Sequence, residues 1–294
     1  MNGNLVFIAG YPKSGSTWLR FVLESLRRGT GELSIADMTP GYYGGWRRLL
    51  FDEFSPVNAA DLTAEEIDDT LPDVFRQLSG SGAGPFLVKA HDLLFRTQSG
   101  QWLFPPECVR VVFYLARHPF DVAVSYAHHL ALPVGEVVAI MGRDSVVAKN
   151  SGTLRLPLHE RIGSWSSNIE SWLGETPYRV HAIRYEDVHA DPVSIFSHAA
   201  AAAGLEHTAA KIASAAAAAS FPRLQEQERQ SGFSERPRTS TGFFRVGRPL
   251  SWRGELDDGA RAKIAEDHAS VMERMGYMDD GRVVSVPDPA QAPR

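Results

Sequence analysis

The chain has 294 residues, 44% hydrophobic and 22% charged, enough to bury a substantial core as one large domain or two small ones. Thirty Lys and Arg against 35 Asp and Glu give a formal charge of -5 with no long basic run, which argues against a nucleic-acid partner and a polyanionic polymer as substrate. The single cysteine, Cys108, excludes an internal disulfide and a multi-cysteine metal site, and beside an apolar run it reads as a buried, inert thiol.

Taken in chain order, the first predicted element is an apolar strand, Leu5–Ala9. No basic region precedes it and no stretch reaches membrane-spanning length, so neither a signal peptide nor a membrane span is expected, and the chain reads as cytoplasmic. A turn, Gly10-Tyr11-Pro12-Lys13-Ser14-Gly15-Ser16, leads into a helix-compatible run from Thr17. Residues 29–57 lack a pattern but carry Tyr42, Tyr43, Trp46 and Phe51, either acceptor-binding aromatics or a loop packed on the core. Thr63-Ala64-Glu65-Glu66 predicts a capping box and a helix toward Leu78, with Pro72 expected to kink or divide it. Strands follow at Phe86–Ala90 and Val109–Ala116, and a further one at 180–185. Helices are predicted over 121–130, 160–173, 191–204, 208–220 and 257–275, the last ended by Gly276. Segments 132–157 and 230–250 read as irregular, and the tail 283–294 as disordered. The strands are near-continuously apolar, as in a parallel sheet covered on both faces. The expected fold is therefore α/β, a single domain over 1–282 with a doubly wound, mostly parallel sheet.

The turn after the first strand carries chemistry. A strand, a Gly/Ser-rich loop and a helix N-terminus converge backbone N–H groups on an anion. Gly15 permits close approach of the backbone, and Ser14, Ser16 and Thr17 add hydroxyl donors. A Walker A loop places its Lys after the second Gly, whereas Lys13 precedes Gly15 and enters from the other end of the turn. The bland alternative is a plain turn between a core strand and a helix. The run Tyr11 to Trp18 resembles the phosphosulfate-binding loop of sulfotransferases, written YPKSGTTW, with Ser16 in place of one Thr.

Two further segments match in order. Lys89 and His91 stand two apart at the C-terminal end of a buried strand, so both can aim at one site. They resemble the family's KTH element, with Ala90 for Thr, whose His is the general base. Arg117 ends the next strand, and Pro119 opens a helix that carries Ser125 two turns on. Guanidinium and hydroxyl can grip one phosphate together, and the segment from Arg117 resembles the family's 3′-phosphate motif, RNPxDVxxSxxH, including a His at 129 or 128. Asp121 lies in the first helical turn, where the dipole favours it. His128 and His129 are adjacent on a helix and diverge, so they are not read as metal ligands. Downstream, Tyr185-Glu186-Asp187 resembles the family's YED element, whose Tyr lies near the adenine, and Ser220-Phe221 a nucleotide-contacting pair. Arg245-Val246-Gly247 and Ser251-Trp252-Arg253 resemble FxRKGxxGDWK, with Val246 in place of Lys and Arg248 available to compensate.

These matches run from Tyr11 to Trp252 and identify the chain as resembling the cytosolic-type sulfotransferases that use 3′-phosphoadenosine 5′-phosphosulfate, with short bacterial members that tailor natural products nearest in feel. The resemblance implies His91 as general base, with Lys13 and Lys89 in the catalytic set. It implies a donor site of Lys13, Ser14, Gly15, Ser16, Thr17, Trp18, Arg117, Ser125, Tyr185, Ser220, Phe221, Arg245, Val246 and Gly247. No metal is required, since lysines and backbone dipoles supply the positive field. The implied acceptor is a hydroxyl on a small, partly apolar molecule, a phenol or natural-product alcohol. The alternatives are a P-loop-type kinase or NTPase, which would need magnesium, and a nucleotide-binding protein without catalysis. The family's short dimer motif is not recognisable, which leaves homodimer formation open.

Overall fold

The computed structural model describes residues 3–29, 33–38, 48–82, 84–144, 146–147, 158–237, 240–279 and 282–283. Tyr42, Tyr43, Trp46 and the tail from residue 284 lie outside them. In chain order, β1 (Leu5–Ala9) turns into α1 (Ser16–Arg28), and α2 (Arg48–Phe54) and α3 (Ala64–Gly80) precede β2 (Phe86–Ala90). β3 (Val109–Ala116) is followed by α4 (Pro119–Leu130) and α5 (Val134–Met141). A short ribbon of β4 (Val146–Val147) and β5 (Glu160–Arg161) precedes α6 (Trp165–Leu173). β6 (Val180–Arg184) runs directly into α7 (Tyr185–Ala190), then α8 (Pro192–Ala203), α9 (Ala209–Ala218) and α10 (Phe221–Ser231). α11 (Asp258–Arg274) and the ribbon β7 (Met278–Asp279) and β8 (Arg282–Val283) complete the described chain.

The central sheet has the order β2-β1-β3-β6, and every pairing in it is parallel. Strand alternation divides β1 between two cores. Leu5, Phe7 and Ala9 pack with Leu71 and Phe75 of α3, Trp165 and Trp172 of α6 and Met272 of α11. Val6 and Ile8 pack with Leu19 and Val22 of α1, Phe196 and Ala199 of α8 and Ile212 of α9. Both faces are therefore covered, which is why all five residues of β1 are apolar and buried. The chain passes from β1 to β2 on one side and returns to β3 on the other. Ligand crevices of such sheets form at that reversal, beyond the C-terminal strand ends.

The elements read from the sequence are present, with corrections at their edges. The Thr63 capping box forms, its hydroxyl accepting from Glu66 N while Glu66 accepts from Thr63 N at 2.8 Å. Pro72 does not divide α3: one backbone hydrogen bond is forgone, while Ile67, Leu71, Val74, Phe75 and Leu78 bury a continuous helical face. The helix expected from 160 begins at Trp165, because Gly163 takes φ 70° and Glu160 and Arg161 are used in β5. Tyr185 leaves the strand expected over 180–185 and opens α7. Segment 132–157, read as irregular, contains α5, and the first two residues of the region 230–250 finish α10. Cys108 is buried, and burial raises its thiol pKa.

Candidate active site

The C-terminal ends of β1, β2 and β3 deliver the loop, the Lys89/His91 pair and Arg117 to one crevice. The loop is strained in the manner of an anion cradle: Gly10 has φ 151°, Lys13 φ 72° and Gly15 φ 97°. A Cβ on Gly15 would lie 2.7 Å from the Tyr185 ring, so only glycine fits between α7 and the loop. At the start of α1 the cap residue has no side chain to accept a hydrogen bond, and no acidic residue lies in the first turn. The orphan N–H groups of that turn are thus available to an anion rather than capped internally. Ser14, Ser16 and Thr17 are buried there, and the Ser14 hydroxyl has no hydrogen-bond partner among the described residues.

Cations crowd this cradle. The Lys13 ammonium stands 3.5 Å from His129 Nδ1 and 4.1 Å over the Phe243 ring. Burial, with Lys89 and Arg117 nearby, pushes its pKa down to about 7, against the opposing pull of Glu235 and Glu228. Lys89 Nζ donates to Glu235 at 3.2 Å, and Arg20 of α1 donates to the other oxygen of the same carboxylate. Burial would raise the Glu235 carboxyl, but Arg20 and Lys89 hold it well below the usual carboxylate range. Arg20, Glu228 and Glu235 carry no family motif and do not emerge from the sequence. The signal was Arg20, a charge on the buried face of α1 that demands a partner.

His91 follows β2, and its Nδ1 lies 2.7 Å from the Gly10 carbonyl. A carbonyl oxygen only accepts, so Nδ1 donates and the neutral ring carries its lone pair on Nε2. The His91 backbone is fixed by Asn168, whose amide donates to the His91 carbonyl at 2.9 Å and accepts from Tyr114 at 2.7 Å. Asp92, next in sequence, is buried and accepts from Arg161 N at 2.6 Å.

On the other side of the loop, the Arg117 guanidinium lies 4.3 Å over the Tyr185 ring. Nη1 donates to the Lys13 carbonyl at 3.3 Å and Nη2 to the Arg248 carbonyl at 3.2 Å, while the buried Nε has no partner among the described residues. Ser125 sits half-buried two turns into α4. Asp121 does more than sit in a favourable dipole: it accepts from Leu250 N at 2.8 Å, Ser251 Oγ at 2.8 Å and Trp252 N at 3.0 Å, clamping that turn onto α4. The clamp holds Leu250 at φ 61°, where the matched pattern has glycine.

Gly247 and Phe221 are brought together so closely that a Cβ on Gly247 would overlap the Phe221 ring. Ser220 caps α10 without a side-chain hydrogen bond to it. Trp18 packs edge-on against Tyr185 and Phe196 at ring distances of 6.2 and 5.4 Å, and at a tilt against His189 at 4.9 Å. Arg245 pairs with Glu255 at 2.8 Å, and Glu255 also binds His128 at 2.7 Å. Val246 lines a cleft of about 460 Å³ with Arg248, Leu250 and Arg253. His128 and His129 diverge, the first to Glu255 and the second to Lys13.

Among the described residues no group of three or more His, Cys, Asp or Glu could hold a metal ion. No single described helix is long and apolar enough to cross a membrane.

Comparison with known proteins gives the family and the fold. The family model described as a sulfotransferase domain matches residues 4–276. Bovine (Bos taurus) sulfotransferase 1A1 is 28% identical over 198 residues, which is 64% of this chain and 54% of that enzyme, so the match spans about half the length of the relative. Among solved structures, mouse sulfotransferase SULT7A1 complexed with PAP superposes with TM-score 0.55 at 18% identity, over 95% of this chain and 87% of that one. Retinol dehydratase in complex with androsterone and inactive cofactor PAP gives TM-score 0.51 at 18% identity, over 93% and 82%. These two likenesses establish the fold.

Proposed function

The chain belongs to the sulfotransferase domain family, and we propose that it moves a sulfuryl group from 3′-phosphoadenosine 5′-phosphosulfate (PAPS) to a hydroxyl of a small, partly apolar acceptor. The observation that carries this reading is the meeting of Lys13, Lys89 and Arg117 with an uncapped helix N-terminus, beside a histidine whose Nδ1 is held by the Gly10 carbonyl. The residues fit such a donor: the Ser14 hydroxyl and Arg117 Nε are buried without partners, and the Gly15 cradle has no room for a side chain.

When bound, PAPS supplies an activated sulfuryl group on a phosphate whose departure needs charge stabilisation. The loop N–H groups, Ser14, Ser16 and Thr17 would hold the 5′ end. Arg117, Ser125, Arg245 and Gly247 would hold the 3′-phosphate, and Trp18, Tyr185 and Phe221 would frame the adenine. Lys13 and Lys89 place positive charge at the loop, where negative charge gathers during transfer. His91, fixed by the Gly10 carbonyl, takes the acceptor proton at Nε2. The net charge of -5 favours a small acceptor over a polyanion.

Calorimetry in EDTA tests the donor half of this reading. Adenosine 3′,5′-bisphosphate (PAP) is expected to bind without divalent metal, and ATP far more weakly, because the cations are arranged for two separate phosphates. Tight ATP binding with no PAP binding would overturn it.

A further inference from the structure

Both oxygens of Glu235 are engaged by cations from different elements, Arg20 on α1 and Lys89 on β2. Glu235 sits on the segment following α10, and that segment is pinned a second time by Glu228, which accepts from Phe243 N at 2.7 Å and Phe244 N at 2.9 Å. At the second pin, Phe243 lies beneath the Lys13 ammonium.

We propose that Glu235 is a positioning residue of the transfer site, an internal counter-charge that aims the Lys89 ammonium at the phosphate-binding loop and holds the segment after α10 against it. The inference rests on the transferase reading above. Its physical basis is that Lys13, Lys89, Arg20 and Arg117 are like charges gathered in a largely buried space, where repulsion is weakly screened. The charged groups facing Lys13 are Lys89 and Arg117 on one side of the balance and Glu235 and Glu228 on the other, with the His129 ring 3.5 Å away. Without Glu235, Lys89 has no carboxylate to fix its direction, and one of the two lysines loses its proton or turns away. The ammonium group is then no longer where the transferred group must be met.

The test uses the full chain with Glu235→Gln, Glu235→Asp, Lys89→Met and the double variant Glu235→Gln/Lys89→Met. At pH 5.5, where Lys13 carries its proton, Glu235→Gln should bind PAP as tightly as native protein or tighter, since a negative charge near the anion is gone. It should take up more protons on binding PAP at pH 7, read by calorimetry in two buffers, because Lys13 starts less protonated. Its kcat should fall by about 10–100-fold, the scale of a misplaced catalytic group. On the Lys89→Met background the same change should cost no more than about threefold, because the effect runs through Lys89. Glu235→Asp, which keeps the charge but shortens the reach, should show native proton uptake and a smaller loss of kcat.

Native kcat in Glu235→Gln, a fall of kcat with a parallel fall of PAP affinity at pH 5.5, or fully multiplicative losses in the double variant would each overturn the proposal. Should Glu235→Gln fail to fold, native kcat in Glu235→Asp overturns it. Absence of PAP binding and of sulfation in the native protein would instead strike the transferase reading, and this inference with it.

Discussion

The guanidinium of Arg117 donates to the Lys13 carbonyl at 3.3 Å while its second terminal nitrogen reaches the Arg248 carbonyl. One side chain thereby joins the loop after β1 to the segment that carries Arg245 and Gly247. The consequence differs from what the motif alone implies. A residue that only gripped the 3′-phosphate would matter only to ligands that have one. Arg117→Ala should weaken PAP by about 10–100-fold, from the loss of charge-assisted contacts worth roughly 1.5–3 kcal/mol. It should also weaken adenosine 5′-monophosphate several-fold, because the Lys13 carbonyl loses its tether. Calorimetry with both ligands decides; unchanged monophosphate affinity would show that the tether is idle.

Lys13 should make PAP binding pH-dependent. Its pKa is about 7 in the donor-free protein, lowered by burial and by Lys89 and Arg117, and an anion at the loop raises it. Below pH 6 Lys13 is already charged, so binding takes up almost no proton there. Above pH 8 it is neutral when free and charged when bound, so binding takes up nearly one proton and affinity declines with rising pH. Titrations at pH 5.5 and 8.5 in buffers of different ionisation enthalpy measure this. Equal, near-zero uptake at both would contradict the placement of Lys13 beside the anion.

Gly15→Ala should damage the cradle out of proportion to its size. The new Cβ would meet Tyr185 at 2.7 Å, and φ 97° is costly for any L residue. A stability loss of about 1–3 kcal/mol is expected, the usual scale of such backbone strain, together with at least tenfold weaker PAP binding as the loop shifts off Tyr185. Chemical denaturation and calorimetry on the same preparation check it. Native PAP affinity would mean the loop tolerates the displacement.

Asp121→Ala leaves the N–H groups of Leu250 and Trp252 without their acceptor. Unfolding stability should drop by roughly 1.5–3 kcal/mol. PAP affinity should fall too, since the turn after Gly247 loses its hold on α4. Asp121→Asn, which keeps one acceptor oxygen, should lose less. Equal losses for Ala and Asn would show that charge rather than acceptor geometry matters.

The four sheet strands and most long helices were legible because their signals are local: continuous apolar runs, a capping box at Thr63 and glycines closing α1 and α11. The helix α5 was not, since eight mostly apolar residues after Pro133 fit a buried strand or loop equally well. The loop and the Lys89/His91 pair could be read from spacing. The network around Glu235 could not: Arg20, Lys89 and Glu235 are joined across 215 and 146 positions, and nothing local marks Glu235. Asp121 shows the same limit, its dipole position visible in sequence and its clamp on Leu250 only in three dimensions. The pairing of Arg245 with Glu255 was likewise invisible to the motif.

The most direct test of the account is mass spectrometry of a panel of phenols, natural-product alcohols and glycosaminoglycan oligosaccharides incubated with PAPS in EDTA, using native protein and His91→Ala. The account predicts that native protein adds one SO3 to a hydroxyl of a small, partly apolar acceptor. It predicts that His91→Ala does so about 10²–10⁴-fold more slowly, the usual contribution of a general base, while still binding PAP with near-native affinity. A folded native protein that binds PAP yet sulfates no hydroxyl, or a His91→Ala variant that turns over at the native rate, would contradict it.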